Sequence, residues 1–293
     1  MCPHSRRKFL QSALGVAAVA ATGPNAFAAK RSATDWVTLG KSGVKVTRLA
    51  FGTGTFGGRV QRELGQEQFT KLVRHAYDRG IRFFESADAY DQMHEMLAIA
   101  LKGIPRDSYR LMTKFRWREA DKPFETIDRL RKELNSDYFD IMLLHNVRTA
   151  TWAKELEKLR DAVSEAKEKK IIMAHGASCH GLDPAESFGK TKWLDVALMR
   201  INHNGARMDN REGDNNHGDH ALAVPNVVAT HKAGTGVIGM KLMGEGRFKK
   251  PEERDASLRY VIKLGAVDAM TIGYKSTAEI DEAIERINTH LNS

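Results

Sequence analysis

The sequence predicts an α/β protein of the (β/α)8 TIM-barrel class with an N-terminal hairpin, and three observations predict it. From about residue 36, short β-type runs alternate with helical patterns, the signature of βα units on parallel strands, and the alternation occurs eight times. The helical segments carry apolar faces at the 3.6-residue period, as in Phe69, Leu72, Val73 and Ala76, or Ile127, Leu130 and Leu134. Eight such units in the available length fit one closed barrel better than two separate domains. A chain of 293 residues, 42% hydrophobic and 28% charged, can bury a core of that size, which excludes a disordered protein.

The stretch 36–43 (WVTLGKSG) reads as a hairpin ahead of the first strand, placed to plug the barrel bottom. Strands are expected over residues 46–51, 81–86, 109–114, 138–145, 171–178, 196–202, 237–242 and 267–273. Helices are expected between them over 67–79, 93–102, 123–134, 153–169, 251–264 and 277–288. Residues 36–288 are therefore assigned to one barrel domain, with no linker and no repeat beyond the βα period. Residues 202–220 (NHNGARMDNREGDNNHGDH) depart from the pattern: they are polar, rich in Gly, Asn and Asp, and follow the sixth strand. They form a long surface loop of the kind in which barrel enzymes place function.

Composition excludes several classes. Four Trp, 12 Phe and 6 Tyr supply core material, and 24 Gly against 7 Pro is too little for collagen or low complexity. No run of 18 apolar residues occurs, so neither a transmembrane helix nor stable membrane insertion is expected. The net charge is +9, and Arg6, Arg7 and Lys8 sit in a first segment without acids. The other charges are spread over helix faces among acids, a solvated surface rather than the clustered basic stripe of a nucleic-acid binder.

Residues 5–11 (SRRKFLQ) precede a small, apolar stretch over 12–22, then Gly23-Pro24 and Ala26-Phe27-Ala28. This resembles a twin-arginine export signal over residues 1–28, with cleavage before Ala29. A basic amphipathic starter helix fits less well, because the Ala/Val block has no polar face. The resemblance implies the twin-arginine export machinery as a partner and a periplasmic destination, reached by a folded chain that acquires its cofactor in the cytoplasm. Cleavage would remove Cys2 and leave Cys179 alone, so no internal disulfide is expected.

Two nucleotide-binding readings compete. Gly52-Thr53-Gly54-Thr55-Phe56-Gly57 matches G-x-G-x-x-G after the first strand, and Glu85 ends the second. A Rossmann fold would need the helix to begin at the last Gly, yet residues 58–65 intervene, and Glu85 lies beyond the ~20-residue spacing of the ribose-binding acid. The other reading uses the carboxyl ends of the second to fourth strands, where Glu85, Tyr90, Lys114 and His145 would converge on one mouth. A carbonyl that takes hydride at carbon needs a proton at oxygen, and a Tyr hydroxyl with a pKa of ~10 needs tuning to supply it. Lys114 is expected to lower that pKa, Glu85 to hold Lys114, and His145 to polarise and orient the carbonyl. In the 202–220 loop, His203, Asp214, His217, Asp219 and His220 are metal-ligand types, but no His pair at i, i+4 on a helix and no Cys cluster fixes a geometry. A polar substrate loop is the better reading, and no metal is assigned.

From the hairpin to residue 286 the chain resembles the aldo-keto reductases. The resemblance is carried by Leu39-Gly40-Lys41-Ser42-Gly43-Val44-Lys45-Val46, Gly52-Thr53-Gly54-Thr55-Phe56 and Phe84-Glu85-Ser86-Ala87-Asp88-Ala89-Tyr90. Met112-Thr113-Lys114, Asp140-Ile141-Met142-Leu143-Leu144-His145 and Gly236-Val237-Ile238-Gly239-Met240-Lys241-Leu242 extend it. It implies a barrel that binds NADP(H), with NAD(H) also admitted, in extended form at the strand ends, and a small-molecule carbonyl or sugar as substrate. Tyr90 would be the acid/base, supported by Lys114, His145 and Glu85. Cofactor contacts would come from Gly54, Thr55, Phe56, Ser178, Cys179, Arg200, the backbone of Lys241, Leu242, Met243 and Gly244, and the side chains of Lys275 and Ser276. The chain departs from the family pattern at Glu85 for Asp, with Asp88 the weaker substitute, at Cys179 for Asn, at Arg200 for Gln, at Met240 for an aromatic residue and at Ala283 for Asn. The departures at Glu85, Cys179 and Arg200 favour the alternative, a non-catalytic barrel of the same type that binds a ligand or partner protein.

Overall fold

The computed structural model describes residues 30–116, 121–211 and 217–293. The hairpin pairs β1 (Trp36–Thr38) antiparallel with β2 (Lys45–Thr47), Val37 opposite Val46. Its turn is a plug in physical detail. Gly40 has φ 47°, and a Cβ there would lie 2.4 Å from the Gly234 oxygen, so only glycine lets the turn dock on the start of the seventh barrel strand. Lys41 N–H donates to that same oxygen at 2.9 Å.

Eight parallel strands then close on themselves: β3 (Leu49–Gly52), β4 (Phe83–Glu85), β5 (Arg110–Phe115), β6 (Phe139–Val147), β7 (Ile172–Cys179), β8 (Val196–Arg200), β9 (Gly236–Met240) and β10 (Ala269–Gly273). Closure comes from β10 pairing with β3, Met270 beside Leu49 and Gly273 beside Gly52. Outside lie α1 (Arg59–Arg62), α2 (Gly65–Asp78), α3 (Met93–Leu101), α4 (Pro123–Glu133), α5 (Trp152–Glu155), α6 (Glu157–Glu168), α7 (Leu182–Phe188), α8 (His220–Lys232), α9 (Pro251–Leu264) and α10 (Thr277–Leu291).

Two apolar clusters follow from strand parity. Ala50, Phe83, Met112, Ile141, Leu143, Ala174, Val196, Leu198, Ile238 and Ala269 fill the barrel, joined from below by Leu39 and Val46 of the hairpin. The alternate residues, such as Phe51, Phe84, Leu111, Phe115, Met142 and Leu144, point outward and meet the helices.

The structure revises several boundaries. Val46 belongs to the hairpin rather than to the first barrel strand, because the chain bends where Thr47 Oγ1 donates to the Leu49 carbonyl at 2.8 Å. The helix expected over 153–169 is two, α5 and α6, separated at Leu156. The 202–220 segment is less of a loop than its composition implies: α8 begins at its last residue, and Asn202 ties the early part by donating to the Ala206 and Lys241 carbonyls at 2.7 and 3.1 Å. Among the described residues no helix is long and apolar enough to cross a membrane. The expected export signal over 1–28 lies outside the described residues, as does Asp214.

Candidate active site

Strand parity builds the site. Two residues after an inward apolar residue, the next inward position stands at the mouth: Phe83 is followed by Glu85, Met112 by Lys114, Leu143 by His145, Leu198 by Arg200 and Ala269 by Thr271. The top layer of the barrel is thus polar, at the carboxyl ends where barrels work.

Lys114 is the hub. It is 1% exposed, and its ammonium, which has three protons to donate, gives one to Glu85 Oε1, one to the Ser86 carbonyl at 2.9 Å and one to the Tyr90 hydroxyl at 3.1 Å. Tyr90 therefore accepts from Lys114 and keeps its own proton to donate outward. Glu85 reaches in two directions, its Oε2 accepting from Thr271 Oγ1 at 3.1 Å. Space for this longer acid comes from Gly52, where a Cβ would lie 2.6 Å from Thr271 Oγ1 and 3.0 Å from Glu85 Oε2. Asp88 is not the substitute: it pairs with Arg129 at 2.9 Å.

Tyr90 comes from the turn after β4, where its N–H donates to the Ala87 carbonyl at 2.9 Å, and a Cβ on Gly54 would lie 2.5 Å from its hydroxyl. The His145 ring stands edge-on to Tyr90, centroids 5.6 Å apart at 86°.

The electrostatics correct one expectation. Enclosure of the Tyr90 hydroxyl raises its pKa above the usual value, and this outweighs the opposing pull of Lys114, with Glu85 adding to the rise. Burial would lower the pKa of Lys114, but Glu85 and Tyr90 more than compensate, and the ammonium is held above its usual value. His145 is pushed well below the usual histidine range by burial and by the cations Lys114, Arg116 and Lys241 together with His180. At neutral pH the trio is a protonated tyrosine, an ammonium and a neutral imidazole, which is a proton-donating arrangement.

A cleft of about 430 Å³ runs from Glu85, Gly54 and Tyr90 between the Lys241–Gly246 segment and Lys275, just before α10. Its walls fit an extended dinucleotide by their donor set: Lys241, Lys249 and Lys275 line it, and buried Tyr274, also in the wall, has a hydroxyl without a hydrogen-bond partner among the described residues. Gly54 and Gly273 line it where a Cβ would collide with Tyr90 and with Thr55. Thr55, Phe56, Leu242 and Met243 also line it.

Other sequence candidates stand elsewhere. Cys179 has the outward parity: it is buried in the outer cluster, its thiol donates to the Gly181 carbonyl at 3.3 Å, and burial raises its pKa well above normal. Ser178 faces inward, but its oxygen accepts the Asn146 N–H at 2.7 Å. Ser276 caps α10, accepting from Glu279 N–H at 3.3 Å, and Gly244 forms a turn with φ 55°. Arg200 pairs with Asp209 at 3.4 Å and donates to His180 Nδ1 at 2.5 Å. Of the metal-type residues, Asp219 caps α8, while His203 and His220 pack on Phe248 and Tyr260, and no cluster of three such groups occurs among the described residues. The sequence reading missed Thr271, His180 and Asp209; the inward parity of the eighth strand would have revealed Thr271.

The aldo/keto reductase family model matches residues 48–293. Among curated proteins, methylglyoxal reductase DkgB of Salmonella typhi is 31% identical over 137 residues, 45% of this chain and 48% of that protein. L-galactose dehydrogenase of Arabidopsis thaliana is 28% identical over 141 residues, 45% of this chain and 44% of that one. The chain thus spans about half the length of the curated relatives it matches. Among solved structures, an aldo-keto reductase from Klebsiella pneumoniae in complex with NADPH superposes with a TM-score of 0.62 at 15% identity, covering 88% of this chain and 89% of that one.

Proposed function

The chain belongs to the aldo/keto reductase family, and from that premise we propose that it is an NADP(H)-dependent oxidoreductase, with NAD(H) as a second candidate, that interconverts a small carbonyl compound or sugar and its alcohol. The observation that carries this reading is the Lys114 ammonium, shared among Glu85, the Ser86 carbonyl and Tyr90, with neutral His145 edge-on to Tyr90. The reduced nicotinamide, when bound, supplies the hydride to the carbonyl carbon.

Everything else falls to this chain's own residues. Tyr90 gives its hydroxyl proton to the carbonyl oxygen, and the charge left on the phenolate meets the ammonium 3.1 Å away. His145, uncharged, donates a hydrogen bond that orients that oxygen without competing for its proton. Glu85 and Thr271 keep the ammonium aimed. Lys241, Leu242 and Met243 would hold the cofactor along the cleft, with Lys275 at its far end. The resemblance of residues 1–28 to a twin-arginine signal supports export to the periplasm as part of the same proposal.

The non-catalytic reading draws on one observation, that Ser178 and Arg200 are already engaged by Asn146 and Asp209 and Cys179 faces outward. One experiment separates the two: NADPH and NADH affinity by fluorescence, and carbonyl turnover, for the parent and Tyr90→Phe. Retained binding with a loss of about 10²-fold or more in turnover is the expected result. Failure of the parent to bind either cofactor would leave the non-catalytic reading.

A further inference from the structure

A second cavity of about 420 Å³ adjoins the cleft, sharing Phe56, Lys241 and Glu245 with it. The rest of its wall is Arg59, Asn146, His180, Arg200 and Arg207. Four cationic side chains thus face one carboxylate in this wall. The cations come from separate segments: Arg59 from α1, Arg200 from the end of β8, Arg207 from the segment after it and Lys241 from the end of β9.

The charges are positioned rather than loose. Glu245 holds Lys241 Nζ at 2.6 Å and Arg207 Nε at 2.7 Å, so the one acid is shared between two cations. Arg200, 4% exposed, is fixed by Asp209, whose Oδ1 also accepts the Gly181 N–H at 2.9 Å. Because a guanidinium only donates, its 2.5 Å contact makes His180 Nδ1 the acceptor and places the neutral ring's proton on Nε2. The His180 ring lies 6.2 Å from that of His145, one ring further from Tyr90. A molecule whose carbonyl oxygen meets Tyr90 and His145 would reach His180 and the arginines by extending past the His145 ring. Arg59, over the Phe56 ring at 5.4 Å, stands at the entrance. Burial, aided by the nearby Arg200 and Arg207, depresses the Lys241 pKa despite Glu245.

We propose that this cavity is the substrate subsite and that the substrate is a short carbonyl compound bearing a carboxylate, which Arg59, Arg207 and the His180 N–H hold while the carbonyl faces Tyr90 and His145. The proposal rests on the oxidoreductase reading and adds the substrate class to it. The carboxylate is a handle and does not react. The dinucleotide's phosphates do not account for Arg59, Arg200 and Arg207, none of which lines the cleft toward Lys275.

The probes are 4-oxobutanoate and butanal, equal in carbon number and differing in charge. With saturating NADPH, kcat/KM for the acid should exceed that for butanal by about tenfold or more at low salt, the scale of a charged hydrogen bond. The preference should shrink as salt rises to a few hundred millimolar, where exposed charges are screened, while butanal stays flat. Arg59→Gln and Arg207→Gln should each narrow the acid-to-neutral ratio. Equal use of both probes, preference for butanal, or a ratio unmoved by both variants overturns the proposal. Calorimetric titration of both probes into cofactor-free protein keeps this test independent of turnover. If the protein binds neither NADPH nor NADH, the oxidoreductase reading fails, and the calorimetry alone decides the subsite. Binding of the acid that weakens in the two variants supports it, and no binding of the acid, or equal binding of butanal, overturns it.

Discussion

Changing Glu85 to Gln tests whether the site is held together by the Lys114–Glu85 pair. The substitution keeps the shape and removes the charge opposite an ammonium that is 1% exposed, while the acid itself is 4% exposed. Lys114 would retain the Ser86 carbonyl and the Tyr90 hydroxyl, two neutral acceptors at 2.9 and 3.1 Å. Breaking one side of a buried pair costs about 3–5 kcal/mol, whereas replacing both partners with uncharged groups of similar volume is often close to neutral. Glu85→Gln and Lys114→Met should each lose about 3 kcal/mol or more in urea unfolding at pH 7, a large share of the ~5–15 kcal/mol of a typical protein. The double variant should lose far less than the sum, giving a coupling of about 3 kcal/mol in the mutant cycle. Strictly additive losses, or a single-variant loss within ~0.5 kcal/mol, would refute the claim that this pair is a buried, mutually dependent unit.

Three further outcomes are expected. His145, neutral in the fold with its pKa well below the unfolded value of ~6.5, leaves the unfolded chain binding the extra proton as pH falls through that range, so stability drops by up to ~1.4 kcal/mol per pH unit below about 6.5. His145→Gln should remove about one proton's worth of that slope in unfolding midpoints measured between pH 5 and 7.5, and an unchanged slope counts against a neutral His145. Gly54→Ala puts a Cβ where the Tyr90 hydroxyl sits, so the ring must leave Lys114, and turnover should fall by about 10²-fold with the far-ultraviolet spectrum intact; full activity would show that the ring does not need this place. Replacing Arg6 and Arg7 by Lys should strand the precursor inside the cell in a fractionation assay, and unchanged export removes the twin-arginine proposal.

The barrel was legible because its strands, buried on both faces, read as dense apolar runs separated by amphipathic helices. What stayed illegible had physical causes. α8 carries Pro225 in its interior, a residue that argues against a helix, and its buried stripe is only Ala223, Val227 and Thr230. Glu85, Lys114 and His145 were readable as strand-end residues, but their burial was not, so the Tyr90 pKa moved opposite to the expectation: spacing reports which charge is near and says nothing of how little water is. The outward place of Cys179 has a simpler reason. With Ser178 inward, a two-residue period sends the next side chain outward, and the thiol joins the outer cluster.

The inner ring also shows why the departures from the family pattern belong together. A guanidinium at Arg200 cannot sit 4% exposed unless an acid comes with it, and Asp209, 2% exposed, arrives from the polar segment after β8. That segment is anchored by the same acid, through Gly181 N–H, and by Asn202, whose side-chain amide donates to Lys241 carbonyl. Lys241 in turn takes Glu245, and Glu245 takes Arg207 from the same segment. The loops after β8 and β9 are thus joined by the Arg207–Glu245 ion pair and by the Asn202 hydrogen bond to the Lys241 carbonyl. Burial first, and then the nearby Lys114, His180, Arg116 and Lys241, keep His145 neutral. The arginine in the sixth barrel strand and its acid nine residues on are therefore one electrostatic solution: each is buried, and removing either would leave the other charge without its ion-pair partner.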